Sequence, residues 1–315
     1  MSTPARRASF AARAFAVVAV VALAGCGSVV RIAYNNGDFA LRMVADDYLD
    51  LRAEQARLLD ASLARLHAWH RREELPRYAA ALEDAAERVA RGVTAEDIVW
   101  ATDTVRARYR ALVARAIDES LPLAAALTPD NLSALERKLA SGNRKYAAEY
   151  LSADAAAAQR ARADAIAGRV EEWLGQVSAE QRRLIAAYVQ AQPQHLALRF
   201  EDRKARQREF VRTLGERALP ARQRDRLRAL FLDYESGRTA AYARSSAEWQ
   251  RRLADLVLDI AASATREQRD HAADRLRRYA VDFRLLAAEK AVDSGQWAAG
   301  SDEQALAAPV CAARC

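Results

Sequence analysis

The sequence predicts an all-α protein, an elongated bundle or array of amphipathic antiparallel helices that follows an N-terminal export signal. Three observations carry that prediction. Apolar residues recur at three- and four-residue spacing along the chain; glycine is sparse, with no Asn-Gly or Asp-Gly signal joining two alternating apolar runs; and the prolines stand where helices break or begin.

The N-terminus comes first. Arg6, Arg7 and Arg13 precede an apolar run, Phe15 to Leu23, and no acidic residue occurs before Asp38. At about nine residues the run is far short of the roughly 20 that span a bilayer, so it reads as an export address rather than a permanent helix. Its end, Leu23-Ala24-Gly25-Cys26, resembles a bacterial lipobox. That resemblance implies cleavage before Cys26 and attachment of a diacylglyceryl group to its sulfur, with palmitate-type acyl chains tethering the mature chain to a membrane. Gly27 and Ser28 follow instead of Asp, which by similarity to Gram-negative lipoprotein sorting implies the inner leaflet of the outer membrane, facing the periplasm.

Residues 1–25 are therefore expected to be a signal peptide and 26–37 an anchor with a short linker. A helical domain is expected over 38–294, with halves at 38–176 and 177–294, and a flexible tail over 295–315. Loss of the signal leaves 290 residues and lowers the formal net charge from +7 to +4, a length that buries a substantial core. The high pI supports no inference of nucleic-acid binding. Cys311 and Cys315 in the terminal CAARC lie too close together to staple a domain, and two thiols alone do not complete a zinc site.

Within the domain, Leu59, Leu63, Leu66 and Trp69 share one helix face, as do Leu227, Leu230, Phe231 and Tyr234. Trp249, Leu253, Leu256 and Ile260, then Leu276, Tyr279, Phe283 and Leu286, repeat the spacing. Pro76, Pro122, Pro129, Pro193 and Pro220 are read as breaks or first turns. One short pattern opens several helices: Val93-Thr94-Ala95-Glu96-Asp97, Leu127-Thr128-Pro129-Asp130-Asn131, Val177-Ser178-Ala179-Glu180-Gln181 and Ala264-Thr265-Arg266-Glu267-Gln268. Leu51 to Gln55 and Leu219 to Gln223 are weaker relatives. The hydroxyl can accept a backbone N–H as N-cap, the acid favours the positive end of the helix dipole, and Gln181 or Gln268 can complete a capping box. These starts fall 34 to 50 residues apart, which admits a helical repeat without visible alignment of the intervening sequence.

Tyr34-Asn35, Asp46-Asp47-Tyr48-Leu49-Asp50-Leu51, Gln55, Trp69 to Tyr78 and Leu135 to Leu151 together resemble an uncharacterised proteobacterial lipoprotein family, a domain of unknown function. The resemblance covers the mature chain to about residue 290 and implies no established activity. A looser similarity is to the Spy-type periplasmic chaperones with their Leu-Thr-x-x-Gln segments. The strict motif is absent here, since 127–131 ends in Asn and 177–181 begins Val-Ser.

Two constellations could carry function. Asp46, Asp47, Trp69, His70, Arg71, Glu74 and Tyr78 form a candidate recognition corner, or alternatively a structural joint in which Trp69 is buried, His70 or Arg71 bonds the carboxylates and Pro76 turns or kinks the chain. Arg199, Arg203 and Arg206 align on one face of a segment, 199–228, that holds eleven basic and five acidic residues. This is either a solvated face laced with ion pairs or a patch for anionic lipid headgroups or acidic envelope proteins. No Gly-rich phosphate loop, Gly-x-Ser-x-Gly elbow or HExxH motif occurs, so no cofactor, metal or catalytic residue is assigned. The expectation is a non-catalytic binding, scaffold or chaperone-like envelope lipoprotein whose partners are the membrane through Cys26 and envelope components. The alternative is a metal-assisted or acid/base hydrolase of envelope material using Asp46, Asp47, His70 and Glu74.

Overall fold

Ser, Thr and Asp side chains cap six of the twelve described helices, and the chain builds an all-helical array. The computed structural model describes residues 27–151, 154–191, 194–216 and 220–289. Leu23, Ala24, Gly25, Cys26, Pro193, Cys311 and Cys315 lie outside the described residues. The helices are α1 (Gly27–Asn35), α2 (Gly37–Leu49), α3 (Ala53–Trp69), α4 (Leu75–Arg91), α5 (Ala95–Ala126), α6 (Pro129–Tyr150) and α7 (Ala155–Leu174). Then follow α8 (Ala179–Gln190), α9 (His195–Gly215), α10 (Pro220–Leu232), α11 (Ala240–Ala262) and α12 (Arg266–Ala288). A π-helical turn, His70–Glu74, joins α3 to α4, and no strand occurs among the described residues.

The four strong start patterns behave as their chemistry requires. Thr94, Thr128, Ser178 and Thr265 each accept the backbone N–H three residues on, at 3.4, 3.4, 3.1 and 3.2 Å. Asp97, Asn131, Gln181 and Gln268 each bond back to the cap residue's own N–H at 2.8–3.0 Å. The reciprocal box thus forms with Asp and Asn as well as with Gln. Asp154 and Thr239 cap α7 and α11 by accepting the N–H of Ala157 and Tyr242, without a return bond from the third residue.

Two local expectations are corrected. The segment 26–37, expected as a linker, is helical from Gly27, because Val30 on α1 packs against Leu75 and Leu286 and is 2% exposed. Pro122 breaks nothing; it sits inside the last two turns of α5. Pro76 stands in the first turn of α4, one of the two positions read for it, and the chain continues from α3 into α4 through the π turn. The proline's missing N–H and its ring are accommodated by the wider π turn, in which the Leu75 N–H bonds the His70 carbonyl five residues back.

Tertiary contacts repeat. In the first stretch α3 packs on α2 and α5, and α2 on α6; in the second α8 packs on α7 and α11, and α7 on α12. The remaining helices cross between them, α4 lying along α12 and α9 along α6. The α4–α12 pair is the most extensive. Tyr78 meets Phe283 and Leu75 meets Leu286, so the two helices run antiparallel. Ala79 and Ala86 on one helix, and Ala273 and Ala280 on the other, are fully buried at seven-residue spacing and let the backbones approach closely.

Candidate functional site

The clearest concentration of buried polar chemistry lies where α1, the end of α3, the π turn and the end of α12 converge. The π turn carries Arg71 and Glu74, both buried, with Leu75 buried directly after them. Arg71 donates from Nη1 to the Leu286 carbonyl at 2.8 Å and from Nη2 to Asn35 Oδ1 at 2.6 Å. Its guanidinium stands 5.1 Å from the Tyr34 ring centre, and Asn35 in turn donates to Glu289 at 3.2 Å. Arg71 therefore satisfies an orphan carbonyl in the last turn of α12 while holding the end of α1.

Glu74 has no solvent exposure and accepts from Arg77 at 2.8 Å and from Arg108 on α5 at 3.3 Å. Tyr34 Oη lies 2.9 Å from His70 Nδ1, and the Tyr34 ring packs over His67 and His70 with centroids 4.6 and 5.7 Å away. Tyr78 meets the His70 ring edge-on at 5.3 Å, and Trp69 lies beside it at 6.4 Å with Arg115 over its face. Burial pushes the His70 imidazole down to about 4, against the opposing pull of Glu74 and with help from His67. The same desolvation lowers His67, aided by Arg71, and raises the Tyr34 and Tyr78 phenols above their ordinary values. At neutral pH the aromatic cluster is uncharged.

Five of the seven corner residues are thus brought together; Asp46 and Asp47 are held elsewhere. Asp46 accepts the Leu51 N–H at 3.2 Å, closing the end of α2, and Asp47 pairs with Lys138 on α6. Among the described residues no group of three or more His, Cys, Asp or Glu side chains is placed to hold a metal ion. Sequence reasoning missed Tyr34, Asn35, Arg108, Leu286 and Glu289 as members of this corner. Tyr34-Asn35 carried a signal, as part of the family resemblance, whereas a leucine carbonyl more than 200 residues away carries none.

The basic segment on α9 is tied into the fold. Arg206 donates to Asp202 at 2.9 Å and to the Leu230 carbonyl at 3.1 Å, and Arg203 donates to Asn143 on α6 at 3.0 Å. Arg199 is exposed.

Beside the Tyr34–His70 pair is a cavity of about 380 Å³ between α1, α2, α3, α5 and α12, walled mainly by aliphatic side chains. His67, His70, Tyr34 and Asp38 are its polar lining, and His67 Nε2 is buried without a hydrogen-bond partner. Ile32 on α1 and Phe39 and Leu41 on α2 are 63%, 62% and 53% exposed, Leu41 also lining the cavity.

No curated protein and no solved structure matches this chain. A family does match over residues 47–243, a span that contains Trp69, His70, Arg71, Glu74 and Tyr78 but neither α1 nor α12. With well over half of the chain inside that span, the protein belongs to a family of unknown function, DUF6279.

Proposed function

We propose that this protein is a lipoprotein anchored through Cys26 to the inner leaflet of the outer membrane, facing the periplasm, and that it acts by binding, as a scaffold or chaperone-like envelope module. The observation that carries the reading is the pair of successive helices α1 and α2, joined through Asn36 and following Cys26 in sequence, which expose Ile32, Phe39 and Leu41 and line one side of an apolar cavity. Exposed large apolar side chains on two successive short helices suit a membrane interface or an apolar partner better than bulk water. The polar groups that hydrolysis would use are engaged otherwise: Glu74 holds two arginines, Asp47 holds Lys138 and Asp46 closes a helix end. The basic face of α9 bonds largely within the fold, which moves the expected binding surface from Arg199, Arg203 and Arg206 to α1 and α2.

Crosslinking the protein in intact cells, capturing it by a C-terminal handle and identifying the captured species by mass spectrometry tests this. The expected result is an acylated Cys26 together with a reproducible set of envelope components. An unmodified Cys26, or acylation with no captured component, overturns the reading.

A further inference from the structure

The cavity behind α1 and α2 combines three properties that narrow its occupant. At about 380 Å³ it exceeds by more than twofold the roughly 150 Å³ apolar void that holds a benzene ring, and it reaches the size of small-molecule sites. Val30, Leu41, Val44, Leu63, Leu66 and Leu112 make its wall aliphatic, which suits a flexible hydrocarbon chain rather than a polar metabolite. Its polar groups are hydrogen-bonding but uncharged, apart from Asp38 at the start of α2. His67 Nε2, buried and unpartnered, leaves a hydrogen-bonding position unused in a setting where an unmet polar group costs free energy. No Lys or Arg lines the cavity, and Arg71, against the Tyr34 ring, is already committed to Leu286, Asn35 and Glu289.

We infer that this cavity binds the acyl chain of a neutral lipid, the hydrocarbon lying against Leu63, Leu66 and Leu112 and an ester or amide head meeting His67 beside the Tyr34–His70 pair. The assignment deepens the binding reading and rests on it. A fatty-acid anion fits less well, because Asp38 repels a carboxylate and Arg71 is not available to neutralise one. Neutral imidazoles can donate to a carbonyl without requiring a counter-charge. Exposed Ile32 on α1 and Phe39 and Leu41 on α2, with Leu41 also lining the cavity, place its mouth where it could meet a lipid surface.

The test uses the full chain carrying Cys26→Ala, which cannot be acylated there, and monopalmitin as the probe, with palmitate and hexadecane as comparators. Saturable one-to-one binding of monopalmitin by native mass spectrometry, tighter than that of palmitate at neutral pH, is expected. Ala40→Phe, which fills the cavity from α2, should weaken it by at least about tenfold. His67→Leu should weaken monopalmitin by about tenfold and leave hexadecane unchanged, a split that general unfolding does not produce. Equal affinity for palmitate, or binding indifferent to both substitutions while helicity and thermal midpoint are kept, overturns the assignment. So does binding by the Cys26→Ala chain but not by the acylated one, which would give the cavity to the protein's own anchor. Failure here leaves the anchored-binding reading to the crosslinking result, which does not depend on the cavity.

Discussion

His70 shows what a single buried side chain contributes. Its folded-state value of about 4 lies below the ordinary 6.5, because the cluster of Tyr34, His67 and Tyr78 removes water from the ring, Glu74 only partly compensating. Between those values the unfolded chain holds the proton and the folded chain does not, so acid favours unfolding in that window; stability is complete above pH 6.5 and declines towards pH 4. The slope from this one group is at most about 1.4 kcal/mol per pH unit. Comparing the pH dependence of the urea midpoint of the wild-type chain with that of His70→Gln should show the flatter profile in the variant. Parallel profiles would mean that His70 is solvated. Glu74 teaches the complementary lesson: a carboxylate beside a histidine in sequence looked available for chemistry, but it is fully buried between Arg77 and Arg108, where charge pairing is its role.

At the scale of elements, the capping boxes do more than start helices. Gln55 donates to Asn131 at 2.8 Å, tying the start of α3 to that of α6, and Gln181 and Gln268 face each other at 3.2 Å, tying the start of α8 to that of α12. Three of the four bridging amides also reach backbone beyond their partner, Gln55 to Ala126, Asn131 to Leu49 and Asp50, and Gln268 to Gln176, while Gln181 reaches the Ser263 hydroxyl at 3.3 Å. Since Gln181 and Gln268 are buried, Gln181→Ala leaves its partner short of a bond and should cost about 1–3 kcal/mol in urea unfolding. The double variant Gln181→Ala/Gln268→Ala should cost less than the sum of the singles. Strict additivity would mean the two amides act only as separate caps. The start pattern, its spacing and the hydroxyl cap were legible in the chain, because a capping box is a four-residue event. The cross-pairing was not, because it joins amides 76 and 87 residues apart and no local rule selects which cap meets which.

At the scale of the molecule, α1 and α12 bring the two ends of the described chain to one corner, and Arg71 holds both, with Leu286 lying 215 residues away. Contacts that close so long a loop form against a large entropy cost and define a region able to open by itself. Arg71→Ala should therefore raise amide exchange in α1 and in the last turn of α12, leaving α7 and α8 protected, as hydrogen-exchange mass spectrometry can resolve. Uniform loss of protection would show a single cooperative unit instead. The corner was half legible for the same reason: Trp69 to Tyr78 is one continuous segment with unusual composition, whereas Tyr34, Arg108 and Glu289 reach it only through folding.

The amino-acid sequence by itself determined that the chain is helical and where six of the twelve described helices start, since periodic apolar faces and N-caps act within a few residues of themselves. It also carries the arginines and apolar run at its N-terminus and the lipobox resemblance, features of contiguous sequence. Tertiary structure decided which alanines are core. Ala79, Ala86, Ala273 and Ala280 are indistinguishable in an alanine-rich chain until α4 and α12 lie against each other. It also decided that Asp46 and Asp47 serve α2 and α6 while His70 and Glu74 serve the corner, and that an apolar cavity stands beside Tyr34. Packing between helices distant in sequence sets such juxtapositions, and the pattern of any one helix specifies only its own inward face.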